Sequence, residues 1–62
     1  MILYAVKSKY GYLRKIENAK PSEVSMNKAS VFQKIEDAQK LRDVFGSGIV
    51  CELTLTEKKT DF

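Results

Sequence analysis

Hydrophobic and polar positions along the chain change their period several times, and each change marks an element. From Met1 to Lys7 the residues are β-formers, with Ile2, Tyr4 and Val6 on one side and Leu3 and Ala5 on the other. A strand that is apolar on both sides belongs in the middle of a sheet. Ser8, Lys9, Tyr10 and Gly11 interrupt it, and Tyr12 to Ile16 alternates again, so the two runs predict a hairpin closed by a short loop. Gly11 is expected to supply a positive φ there. Between Glu17 and Lys28 the period is lost. Asn18, Pro21, Ser22 and Ser25 are turn formers, and only Val24 and Met26 offer apolar anchors. This stretch predicts a connection with room for one helical turn. Ala29 to Phe32 is a short apolar patch that reads as a strand stub or as the entry into a helix.

At Ile35 the spacing becomes helical. Ile35, Ala38, Leu41, Val44 and Phe45 recur at intervals of three and four, with Glu36, Lys40, Arg42 and Asp43 between them. Glu36 and Asp37 suit the positive end of the helix dipole, and Gly46 suits a left-handed C-terminal cap. The N-terminus is less well provided, because Lys34 or Gln33 stands where Ser, Thr, Asp or Asn is preferred. From Gly48 to Thr56 the period returns to two, which predicts a strand with Ile49, Cys51, Leu53 and Leu55 inward and Val50, Glu52, Thr54 and Thr56 outward.

Strand, strand, helix, strand implies the α+β class: a small antiparallel sheet of three strands (β-β-α-β) with one amphipathic helix packed on one face. Residues 1–56 read as a single domain and residues 57–62 as a charged, frayed tail. One helix covers one face, whereas the first strand is apolar on both. Leu3, Ala5 and Val50 are therefore expected at a second interface, closed either by a homodimer or by the connecting segment that carries Val24 and Met26.

Composition narrows the chemistry. The 62 residues include no His and one Cys, and no Gly-rich phosphate loop occurs. Zinc sites draw on several Cys and His ligands, so a metal site is not expected, and the commonest general base is missing. No cofactor is expected either, and a chain this short is expected to lack the concave pocket, roughly 300 Å³ or more, of an enzyme site. Cys51 has no partner for an internal disulfide, which suits a reducing, cytoplasmic setting, and it reads as a small core hydrophobe. The apolar run from Met1 to Val6 is far shorter than the roughly 20 residues of a membrane span and lacks the flanks of a signal peptide.

Charge is distributed unevenly. The net charge is +3, but residues 1–34 carry Lys7, Lys9, Arg14, Lys15, Lys20, Lys28 and Lys34 against Glu17 and Glu23, whereas acidic residues outnumber basic ones after residue 34. On the first hairpin Lys7, Lys9, Tyr10, Tyr12, Arg14 and Lys15 interleave cations with aromatic rings. Such a mixture suits an acidic protein surface, where Tyr and Arg are frequent binding hot spots, and it also suits phosphates and stacked bases. It equally describes a solvated hairpin whose lysines protect a sheet edge. The modest net charge ranks nucleic acid below protein as the partner.

The Tyr/Val-rich opening strand, Gly11-Tyr12-Leu13, Ala29 to Phe32, Glu36-Asp37-Ala38 at the helix start and the alternating final strand together resemble small ββαβ proteins of Gram-positive phages and prophages. The likeness spans about residues 2 to 56 and rests on turn, core and helix-start positions. It implies a non-catalytic interaction protein in the bacterial host cytoplasm that binds a host or defence protein and modulates or inhibits it. The alternative is a nucleic-acid-binding accessory protein acting through the same hairpin.

Overall fold

The longest ladder joins the two ends of the chain. Strand β1 (Ile2–Lys7) pairs antiparallel with β4 (Ile49–Thr54) over its whole length, from Ile2 opposite Thr54 to Lys7 opposite Ile49. The structure, a computed structural model, describes residues 1–60. Between these strands the chain forms β2 (Tyr12–Arg14), β3 (Ser22–Val24), a 3-10 turn over Met26–Lys28 and the helix α1 (Ile35–Phe45). The architecture is the expected α+β, but the sheet has four strands in the order β3-β2-β1-β4, not three. The additional strand is Ser22-Glu23-Val24, which lies directly behind Pro21 and has too few apolar residues to show a period. Its pairing with β2 makes it a strand, with Tyr12 opposite Val24 and Arg14 opposite Ser22.

The first hairpin is briefer than its alternation suggests. Lys7 faces Tyr12, and the Ser8 N–H donates to the Gly11 carbonyl at 2.7 Å, after which β2 diverges from β1 and ends at Arg14. Into the gap comes the Ala29 to Phe32 patch. Phe32 and Tyr4 exchange both backbone hydrogen bonds at 2.8 Å, and the Ser30 N–H reaches the Leu13 carbonyl. The patch is thus a strand stub wedged between β1 and β2. Gly11 does not adopt the positive φ expected of it. Its requirement is spatial, because a Cβ there would lie 2.6 Å from the Val24 carbonyl oxygen. The left-handed residue of this half is Asn18, at φ 58°, a side chain that tolerates that region.

Helix α1 has the predicted bounds. The Gly46 N–H caps it on the Arg42 carbonyl at 2.9 Å with φ 99°, and Lys34 at the N-cap makes no side-chain hydrogen bond. Ala38 and Leu41 are buried with Val6 and Leu13, and Tyr4, Phe32, Phe45 and Val50 pack around them. Ile35 and Val44, expected inward, are exposed, since the single sheet beneath reaches only a narrow stripe of the helix.

The inward set of β4 is the reverse of the one expected. Cross-strand partners in an antiparallel pair share a face, and Val50 stands opposite the fully buried Val6. Val50 therefore lies under the helix, while Ile49, Cys51 and Leu53 join Lys7, Ala5 and Leu3 on the other face. The alternation misleads because α1 covers β1 and only the start of β4, leaving Glu52 and Thr54 in solvent on the helix side. Leu55 is exposed as well. Residues 57–60 have no regular structure, and Asp61 and Phe62 of the expected tail lie outside the described residues.

Candidate functional site

Two pleats decide which side chains meet on the face away from α1. Odd-numbered residues of β1 and β4 and even-numbered residues of β2 and β3 point there: Leu3, Ala5, Lys7, Ile49, Cys51 and Leu53, then Tyr12, Arg14, Ser22 and Val24. Of these only Ala5 is fully buried, and Ile49 is 69% exposed. Val24 is built into β3 and Met26 is 59% exposed, so the connecting segment leaves the β4 end of this face open. The strand cations Lys7 and Arg14 lie on this face; the strand carboxylates Glu23 and Glu52 lie on the other. The result is a cationic and aromatic strip of Lys7, Tyr12 and Arg14 beside an apolar strip of Leu3, Cys51, Leu53 and Ile49.

Lys9 and Tyr10 stand at the tip of the β1–β2 loop. Tyr10 is 79% exposed, and the Lys9 ammonium lies 5.2 Å from its ring centroid, a distance at which a cation is attracted by the ring's negative face. What orders the tip is Glu23. Its carboxylate accepts from the Ser8 hydroxyl at 2.7 Å and from the Tyr10 N–H at 3.1 Å, tying the loop to β3. Ser8 is buried, so this bond also satisfies a hydroxyl taken out of water. Nothing in the sequence marked Glu23 for this role, because it works across a strand pairing that is itself invisible there.

Lys15 departs from the other five residues. Its N–H donates to the Ser30 hydroxyl at 2.8 Å, and it lines a groove of about 320 Å³ between the 15–21 segment and α1. Ile16, Pro21, Phe32 and Leu41 give that groove an apolar floor, and Asp37 and Lys40 stand with Lys15 around it. A concavity of this size was not expected from so short a chain. Its charged side chains form no ion pair among the described residues, where the exposed Arg42–Asp43 pair is the one present.

Cys51 is half-buried on the open face, with Sγ 3.7 Å from the Ile49 carbonyl oxygen, and does not belong to the core beneath the helix. Among the described residues no three His, Cys, Asp or Glu side chains gather closely enough to hold a metal ion. No helix there is long and apolar enough to cross a membrane. Comparison with family models, with curated proteins and with solved structures finds no match for this chain.

Proposed function

We propose that this chain is a non-catalytic binding module whose Lys7, Tyr12 and Arg14 strip, with Lys9 and Tyr10 at the adjoining loop, docks on an acidic and partly apolar surface of another protein. The segregation of strand cations and strand carboxylates to opposite faces carries the reading. A face with cations, a phenol ring and apolar side chains but no strand carboxylate complements an acidic patch, and it opposes a second copy of itself stacked face to face. Tyr12 and Tyr10 offer large rigid contact surfaces at small entropic cost. The phage resemblance implies that the partner is a host or defence protein in the bacterial cytoplasm, modulated or inhibited by steric occlusion.

The test is a charge-matched pair of double variants. Lys7→Glu/Arg14→Glu should weaken binding to a captured partner by roughly tenfold or more, equivalent to about 1.4 kcal/mol. Lys34→Glu/Lys40→Glu, with the same change in net charge but at the N-cap and on the helix that covers the other face, should leave it near wild type. Equal retention by both would sink the assignment of this face. A second reading, single-stranded nucleic acid on the same strip, is favoured by the interleaving of Tyr12 with Lys7 and Arg14. A mobility shift that vanishes steeply with salt would support it, and no shift at low salt would dismiss it.

A further inference from the structure

We infer that the outer edge of β4 is a self-association site, where a second copy of this chain adds its own β4 antiparallel, centred on Cys51. In the order β3-β2-β1-β4, among the described residues nothing pairs with that edge. Natural edge strands are blunted by Lys, Pro, bulges or shortness. The β3 edge has three residues behind Pro21, whereas Ile49–Thr54 has six, contains no Lys, Arg, Pro or Gly, and carries a single charge, Glu52, on the helix side. The phase of its backbone follows from two observations. Leu55 donates to the Met1 carbonyl at 2.9 Å, which makes odd residues of β4 the ones bonded to β1. Tyr4 spends both its backbone groups on Phe32 at the opposite side of β1, which agrees. Val50, Glu52 and Thr54 therefore aim their N–H and C=O groups outward.

A second copy can match outward groups to outward groups in few ways. Centring the pair on Glu52 sets two carboxylates directly opposite each other, which is unfavourable. Centring it on Leu53 draws in residues beyond Thr54, where regular structure ends, and sets Ile49 against Glu57. Centring it on Cys51 keeps the pairing between Gly48 and Thr54. Val50 then exchanges backbone bonds with Glu52 of the second copy, Ile49 packs beside Leu53, and the two Glu52 carboxylates lie diagonally, about 7–8 Å apart, where the Glu52-centred pairing would set them directly opposite. The two-fold axis stands perpendicular to the sheet, so both cationic strips remain free on one face and the module becomes bivalent. This inference does not depend on the partner proposed above, and its test contains no such partner.

Cys51 reports the register. Across a non-hydrogen-bonded antiparallel pair the Cα atoms lie about 4.5 Å apart, inside the range a disulfide spans. Diamide, which takes up the hydrogens of both thiols, should convert the full chain to a covalent dimer. Cys51→Ser/Leu53→Cys, whose thiols lie four residues apart across the axis, should cross-link at least about tenfold more slowly. Light scattering from micromolar to millimolar concentration should show a mass rising to twice that of the chain. Glu52→Pro should hold it at the single mass with an unchanged circular dichroism spectrum, since the N–H it removes points outward. A single mass throughout, a dimer that survives Glu52→Pro, or equal cross-linking of the two cysteine positions would overturn the inference. The cross-linking comparison decides the register even if Glu52→Pro fails to fold.

Discussion

Replacing Gly11 by Ala asks how closely the exposed loop is held against the sheet. A Cβ at this position would lie 2.6 Å from the Val24 carbonyl oxygen and 3.5 Å from its carbon. Approaches under 3.0 Å are essentially absent from real Cβ contacts, so the two backbones must separate by at least about 0.4 Å. The obstacle is main chain, not the end of a flexible side chain, and Val24 is fixed by its ladder pairing with Tyr12. Overpacking of this kind costs about 1–3 kcal/mol. Because Gly11 has no positive φ, Ala adds no backbone strain and recovers about 0.4–1 kcal/mol from the stiffer unfolded chain. A net loss of about 1–2 kcal/mol is a large share of the stability of a 62-residue chain, on the order of 3–9 kcal/mol. Each kcal/mol corresponds to about 4–8 °C for a domain of this size, so the midpoint should fall by about 4–16 °C. Urea and thermal melts measure this directly, and amide chemical shifts of Tyr10 and Glu23 should move with it. A midpoint within about 2 °C of wild type and unmoved amides would show that the loop does not approach β3 as described.

Other perturbations probe the remaining supports. Leu13→Ala empties a fully buried position shared by β2 and α1 and should cost about 2–5 kcal/mol in a denaturant titration; a loss below about 1 kcal/mol would mean the hairpin is peripheral to the core. Gly48→Ala should be more damaging than Gly46→Ala, although both have positive φ, because a Cβ at Gly48 meets Val6 Cγ1 at 2.9 Å and the Lys7 carbonyl oxygen at 3.2 Å while one at Gly46 meets nothing within 4 Å. Paired melting curves test this, and equal losses would refute the steric part. Glu23→Ala leaves the buried Ser8 hydroxyl without its acceptor and should cost about 1–3 kcal/mol, with faster hydrogen exchange at the Tyr10 amide. Unchanged exchange there would show that the carboxylate does not hold the loop.

The sequence by itself determined the elements whose signals are local. The helix from Ile35 to Phe45 and its Gly46 cap follow from a stripe of apolar residues and one residue able to turn left-handed. The central place of β1 follows from its two apolar sides, and the cationic hairpin was legible as a cluster. Tertiary structure decided everything that depends on a partner strand. Ser22-Glu23-Val24 is a strand because Tyr12–Arg14 lies beside it, and Ala29 to Phe32 finds its backbone partners only after β2 has left β1.

The same distinction explains the site. Alternation in β4 states that two sides differ but not which one the helix covers, and register against β1 reverses the expected answer. Lys7, Tyr12 and Arg14 come together because Lys7 faces Tyr12, whereas Lys15, one residue beyond Arg14, turns into the groove beside α1. Periodicity is a property of one segment. Facing is a property of two, and with α1 lying over β1 and the start of β4 the choice of face assigns the core and the open surface together.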